Sequence, residues 1–400
     1  MNRVVIVGAS AGGLATAEAL RRLGYQGGLT LIGGEEHLPY DRPPLSKQIL
    51  TGEWQPDRLP LRRPEDIDAL GLDLRLGMTA TGLDTARRTV ALADGTRVSY
   101  DALVIATGVR PRGLPGTEGL AGVHTLRTLE DALAFKARLR PGRRLVIVGA
   151  GFIGAEAAAV ARGLGVEVTL LEAAPLPLAQ AVGEQAGQFL AQIHRDHGVW
   201  LHTGAQVAGI LGAEGEVRGV GLADGTVLPA DDVLVAIGSL PNTEWLAGSG
   251  LTVDNGLVCD EFSAAAPGVY GVGDVARWHN PLFGTAMRIE HRTNAAEQGM
   301  AVARNLLKPD ARRPFAPVPY FWSDQYGMRI QAYGYLRGHD EALVMEHDPA
   351  QRRLLVAYRT GDRLAGVLAV GLPPKTVRAM RALVAAGTAW ESAASDAAAA

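Results

Sequence analysis

The stretch "RRLVIVGAGFIGAEAAAVARGLGVEVTLLE" runs from Arg143 to Glu172. Its opening, Leu145–Val148, is continuously apolar, as suits a strand buried on both faces of a parallel sheet. Gly149, Gly151 and Gly154 follow as G-x-G-x-x-G, and an Ala-rich helical pattern begins at Phe152 and Ile153. A second apolar run ends on Glu172. A lone glycine motif is a weak signal. Set between strand and helix, with an acid about 20 residues on, it predicts a dinucleotide cradle. The first glycine permits the tight turn, the second lets backbone approach a pyrophosphate, and the third allows close helix–strand packing. The helix N-terminus offers free N–H groups to the anion. Glu172 suits the adenosine ribose hydroxyls and would repel a 2′-phosphate, and "AAPLPL" after it supplies no cation. NADH is therefore expected over NADPH.

The same pattern stands near the start of the chain, where "RVVIVGASAGGLATAEALRRLG" covers Arg3–Gly24. Gly8 and Gly13 hold the first and third positions, Ser10 replaces the second glycine, and Ala11 and Gly12 complete the turn. The Ser10 Cβ crowds the phosphate approach, but its hydroxyl can donate to an oxygen. Glu35, of the pair Glu35–Glu36, is the expected ribose partner. Each half then repeats a further order: an "ADGT" or "ADGTV" hairpin turn, then an apolar strand ending in glycine, "VIATG" or "VLVAIG". The expected fold is α/β, with two Rossmann-like dinucleotide-binding domains.

After Pro314 the composition shifts to Pro and aromatics, and alternating apolar segments follow. These predict a small C-terminal α+β domain with antiparallel strands and a helix near Lys375–Ala385. The expected division is residues 1–112 with 246–314, 113–245, and 315–390, with a disordered tail at 391–400. The net charge of −3 gives no pull toward nucleic acid or anionic membranes. No signal peptide and no run of about 18 apolar residues is found, so a cytoplasmic location is expected. The single cysteine, Cys259, excludes an internal disulfide or a CxxC pair. It reads as a small buried hydrophobe. His194, His197 and nearby His202 lack a further ligand at fitting spacing, so they read as a polar helix face and no metal is expected.

These motifs resemble flavoproteins with two dinucleotide-binding domains, FAD in the first copy and NAD in the second. "ALVIATGVRPR" (Ala102–Arg112), "GVYGVGDVA" (Gly268–Ala276) and "AIGSLPNTEWL" fit that pattern. "HLPYDRPPLSK" (His37–Lys47), "TLRTLEDA" (Thr125–Ala132), "RIEHRTNAAEQG" (Arg288–Gly299) and "FWSDQYG" (Phe321–Gly327) most resemble the NADH–ferredoxin reductases of oxygenase systems, relatives of putidaredoxin and rubredoxin reductases. Disulfide reductases of the superfamily need a Cys pair beside the flavin; this chain has Pro44, Leu45, Ser46 and Lys47 there.

The resemblance implies roles. Gly8, Ser10, Ala11, Gly12 and Gly13 would hold the FAD pyrophosphate, and Glu35 its ribose. Arg42, Lys47, Arg127, Thr107 and Gly108 would contact FAD. Asp274 would meet the ribityl chain. Glu290 and Arg292 stand where a helix N-terminus would face the flavin; relatives often carry an aromatic at Arg292. Trp322 would lie on the open side of the flavin. Gly149, Gly151, Phe152, Ile153, Gly154, Glu172 and Gly238 would serve NAD. Glu156, read as a first-turn residue of the NAD helix, would lie beside the nicotinamide, paired with Lys47. The implied activity is hydride transfer from NADH to FAD, then single electrons to a [2Fe–2S] or similar small ferredoxin, by a monomer or homodimer. The alternatives are an NADH oxidase or quinone reductase, and a non-enzymatic NADH-sensing flavoprotein resembling apoptosis-inducing factor.

Overall fold

The computed structural model describes residues 1–393. The longer helices are, in chain order, α1 (Ala11–Arg22), α2 (Leu129–Arg138), α3 (Phe152–Gly163), α4 (Ala179–Asp196), α5 (Arg292–Leu307) and α6 (Pro374–Ala385). The chain divides into two compact units: Met1–Asp41 with Asp57–Arg110 and Leu240–Pro319, and Arg42–Pro56 with Pro111–Ser239 and Tyr320 onward. The short segment Arg42–Pro56 therefore belongs with the second unit, although it follows the first glycine motif. Glu391–Ala393 are helical, and Ala393 is buried, so order reaches into the stretch read as a tail. The rest of that tail, from residue 394, lies outside the described residues.

In the first unit a six-stranded sheet runs in the order Ala264–Ala266, Val269–Gly271, Ala102–Ile105, Arg3–Val7, Gly28–Ile32, Asp73–Arg75. Val5 pairs in parallel with Thr30 on one side and Leu103 on the other. A strand paired on both edges and covered on both faces has no room for polar side chains, which is why Val4–Val7 carry none. Helices α1 and α5 meet through glycine. A Cβ on Gly299 would lie 2.7 Å from the Gly12 carbonyl oxygen. An antiparallel meander, Ala80–Asp84, Thr89–Leu92, Arg97–Ser99, turns at Asp94–Gly95. Asp94 accepts from the Thr96 amide at 2.9 Å, and Gly95 takes φ 85°.

The second unit repeats this design. Its parallel sheet runs Trp200–Thr203, Glu167–Glu172, Arg144–Val148, Asp232–Val235, Val123–His124. Its meander, Val207–Ala213, Glu216–Leu222, Val227–Pro229, turns at Asp224–Gly225. Asp232, 2% exposed, anchors α2 to this sheet: it accepts from Arg138 Nε at 2.6 Å and Arg143 Nε at 2.8 Å, with His124 Nε2 3.4 Å away. Burial alone would push its pKa up, but these hydrogen bonds outweigh it and the net shift is downward.

The same unit carries a five-stranded antiparallel sheet, ordered Tyr320–Gln325, Met328–Gly334, Arg363–Val370, Arg353–Thr360, Glu341–Asp348. Val182, Phe189 and Leu190 of α4 pack on one face, against Ile330, Val356 and Leu368. Strand alternation puts Tyr333 on the other face, where Arg381 of α6 sits over its ring.

One expectation is corrected here. The polar helix face expected at His194 and His197 is covered by Tyr326. His194 is 1% exposed, with Nδ1 2.7 Å from the Tyr326 hydroxyl, and the His197 ring stacks on Tyr326 at 3.8 Å. Tyr326 lies far along the chain, so helix periodicity alone gives no sign of it. Burial lowers the His194 pKa to about 4. The unfolded chain takes up that proton near pH 6.5, whereas the fold resists it down to about pH 4. Lowering the pH across this window therefore favours the unfolded state, by up to about 3 kcal/mol. Urea unfolding at both ends of the window should show this loss, and His194→Gln should lessen it.

Candidate functional site

The two glycine turns superpose in their steric logic. Gly8 takes φ 122° and Gly149 φ 103°, conformations that glycine alone adopts without strain. A Cβ there would lie 2.0 Å from the Ala106 carbonyl oxygen, or 2.4 Å from that of Ala236. At the third position a Cβ on Gly13 would lie 1.9 Å from the Gly8 oxygen, and one on Gly154 2.0 Å from the Gly149 oxygen. The second position differs in kind. A Cβ on Gly151 meets nothing within 4 Å, and its φ of −71° is ordinary. What this glycine preserves is open space at the N-terminus of α3, where a pyrophosphate fits. Ser10, the N-cap of α1, makes no capping hydrogen bond with its hydroxyl. Ala11 opens α1, and Gly12 packs against Val272. In α3, Ile153 is exposed and Phe152 packs on Phe321, ring centres 4.6 Å apart.

Each second strand delivers its acid beside a turn. Glu172 accepts from the Ala150 amide at 3.0 Å and the Ala174 amide at 2.9 Å, which ties its carboxylate into the glycine loop. Glu35 accepts from the Tyr40 hydroxyl at 2.5 Å.

Further residues of the first unit line its strand ends. Thr107 and Asn242 exchange hydrogen bonds of 2.8 and 2.9 Å, and the Gly108 carbonyl accepts from the Asn242 amide. Asp274 lies in the turn Gly273–Val275, and its carbonyl accepts from Arg288, which also pairs with Glu290 at 2.7 Å. Arg292, the first residue of α5, donates to Asp41 at 2.6 Å, so its charge is compensated. The α5 N-terminus has no side-chain cap and no acid in its first turn. Beside it Asn294 is 3% exposed, and neither its Oδ1 nor its Nδ2 has a hydrogen-bond partner. Buried amides are seldom left so. A ligand with donor and acceptor groups fits this place.

In the second unit, Arg42 Nη1 donates to the Arg127 carbonyl at 2.7 Å. The Arg127 amide in turn donates to Asp131, within the capping box of α2. Glu156 sits deeper than its sequence reading as a first-turn residue: it is the fifth residue of α3 and 3% exposed. The helix-dipole explanation for an acid there is thereby removed. Its carboxylate instead gathers three donors. Lys47 Nζ lies 2.7 Å from Oε2, Ser46 donates to Oε2 at 2.5 Å, and Ser323 donates to Oε1 at 2.7 Å. Gln325 Nε2 supports Ser323 at 3.1 Å. The sequence reading missed Ser46, Ser323 and Gln325 as site residues. Strand alternation puts Ser323 and Gln325 on one face, but nothing local shows that this face meets Glu156.

Trp322, on the opposite face of that strand, stacks with Tyr320 at 5.7 Å and stands apart from the Glu156 cluster. Gly238 takes φ 99°, and its carbonyl accepts from the Arg112 amide. Cys259 ends the strand Leu257–Cys259, buried, with burial pushing its thiol up to about 12. That is far from the thiolate character of a redox-active cysteine. Among the described residues, no group of His, Cys, Asp or Glu has a metal-holding arrangement, and no helix is long and apolar enough to cross a membrane.

Residues 2–299 match the pyridine nucleotide-disulphide oxidoreductase family, and residues 320–400 match the reductase C-terminal family. The chain is 40% identical over 376 residues to "Probable ferredoxin reductase CtmF" of Castellaniella defragrans, covering 93% of this chain and 91% of that protein. It is 38% identical over 379 residues to putidaredoxin reductase of Pseudomonas putida, covering 93% and 89%. Its fold matches the reductase–putidaredoxin covalent complex with a TM-score of 0.91 at 36% identity, over 96% of this chain and 93% of that one.

Proposed function

The chain belongs to the pyridine nucleotide-disulphide oxidoreductase family, and we propose that within it the protein is an NADH-dependent ferredoxin reductase that carries FAD. Its electrons would go to a small iron–sulfur ferredoxin of the [2Fe–2S] kind, which serves a Rieske dioxygenase or a cytochrome P450. The relatives named as ferredoxin and putidaredoxin reductases support this reading. The observation that carries it is the pair of glycine cradles, sterically alike, in a chain whose one cysteine is buried. We infer a cytoplasmic monomer or homodimer that acts without nucleic acid.

We assign residues 1–112 with 246–314 to FAD, 113–245 to NAD, and 315–390 to a C-terminal domain. Bound FAD supplies the chemistry, accepting a hydride and returning electrons singly. The chain supplies position and charge. The amides at the start of α1, with Ser10, hold the FAD pyrophosphate, and Glu35 holds the ribose. The α5 N-terminus and Asn294 meet the polar edge of the flavin ring; a positive helix end there favours negative charge on it. Asp274 takes the ribityl hydroxyls, and Thr107, Gly108 and Glu290 line the FAD. Gly151 leaves room for the NAD pyrophosphate at α3. Glu172 takes the adenosine ribose, and Lys47 and Glu156 serve the nicotinamide end.

Two experiments bear on this. Anaerobic NADH should bleach the purified yellow protein, and an added [2Fe–2S] protein should carry the electrons on to cytochrome c. Rapid oxygen consumption without that protein would favour an oxidase instead. For cofactor choice, Glu172→Ala should weaken NADH about tenfold, the worth of one charged hydrogen bond, and leave NADPH nearly unchanged. Equal losses in stopped-flow titrations would remove the ribose role.

A further inference from the structure

Glu156 is held with unusual completeness for a group assigned to a cofactor. A carboxylate has about four lone-pair positions. Ser46 and Lys47 occupy Oε2, and Ser323 occupies one position on Oε1. About one acceptor position is left, and it belongs to the oxygen that Ser323 orients. Ser323 is 0% exposed and is itself fixed by Gln325, which is 1% exposed. The strand carrying both also sends Phe321 against Phe152, the first residue of α3. One face of the first C-terminal strand thus grips the NAD helix at two points, about one helical turn apart.

The cofactor's direction follows from the same unit. Glu172 marks its adenosine end and Gly151 its pyrophosphate. The nicotinamide half must continue past the pyrophosphate, away from Glu172. Glu156 lies one turn into α3 from the cradle, as a buried carboxylate.

We propose that Ser323 is a positioning residue for the nicotinamide. It acts through Glu156, by aiming the carboxylate's remaining acceptor position at the carboxamide of the dinucleotide. The inference rests on the assignment of the second cradle to NADH. It gives the C-terminal domain a part in nucleotide recognition, with Ser46 fixing the other carboxylate oxygen.

The test compares NADH with ADP-ribose, which fills the cradle but lacks the nicotinamide. Both are measured on the FAD-loaded protein, by calorimetry for ADP-ribose and by rapid anaerobic reduction for NADH. Ser323→Ala should slow flavin reduction by NADH about tenfold, matching the loss of one hydrogen bond to a charged group. ADP-ribose affinity should stay within about twofold, because its contacts lie elsewhere. Ser323→Thr, which keeps the hydroxyl, should recover most of the rate. Unchanged reduction in Ser323→Ala, or equal losses for both ligands, would overturn the proposal. Failure of the unaltered protein to bind either ligand would instead overturn the NADH assignment beneath it.

Discussion

A Gly13→Ala variant is expected to purify largely without yellow colour. The added methyl would stand 1.9 Å from the Gly8 carbonyl oxygen, so either α1 moves away from the strand end or the turn opens. Over-packing of this kind costs about 1–3 kcal/mol, occasionally more, in well-packed interiors. Here much of the cost falls on the amides that would hold the FAD pyrophosphate. A loss of FAD affinity on the order of 10- to 100-fold follows, at about 1.4 kcal/mol per factor of ten. Gly154→Ala makes the same clash, 2.0 Å from the Gly149 oxygen, in the other cradle. That variant should keep its flavin and lose reduction by NADH. Flavin absorbance per chain, read beside the rate of bleaching, separates the two outcomes. A coloured Gly13→Ala protein with normal FAD affinity would mean that the first turn does not hold the dinucleotide.

The second large effect is expected at Lys47. Its side chain, 11% exposed, pairs with the Glu156 side chain, which is 3% exposed. Lys47→Met removes the charge and leaves Glu156 buried with only hydroxyl donors. Breaking a buried pair by deleting one partner costs about 3–5 kcal/mol, because the remaining charge is uncompensated. The unfolding midpoint in urea should fall accordingly. Adding Glu156→Gln to the same chain removes the orphaned charge and should return much of the lost stability. Reduction by NADH should be slow in the double variant, since neither the carboxylate nor the ammonium is present. Equal stability of the single and double variants would show that the pair is weakly coupled.

Much of this architecture is legible in the residues themselves. Glycine spacing, apolar runs and terminal acids are local signals, and each records a local need: a positive φ at Gly8 and Gly149, a close approach at Gly13 and Gly154, open space at Gly151. The duplicated Asp-Gly turns are legible for the same reason. The parts that escape are non-local. Ser46, Glu156 and Ser323 come from three distant segments, and their polar character has no meaning until folding brings them together. His194 and Tyr326 are a similar case: helical periodicity sees two histidines on one face but not the strand turn that covers them. Arg292 shows a third kind of limit. Its sequence suggests an added charge at a helix start, whereas the fold supplies Asp41 to neutralise it.

The central claim is that one chain takes electrons from NADH onto FAD without a sulfur relay. Its most direct test is an anaerobic reductive titration that counts electrons per bound flavin, in the unaltered protein and in Cys259→Ala. One NADH per flavin should complete the bleaching, identically in both proteins. A requirement for two NADH per flavin, or a change in the count when Cys259 is removed, would contradict it.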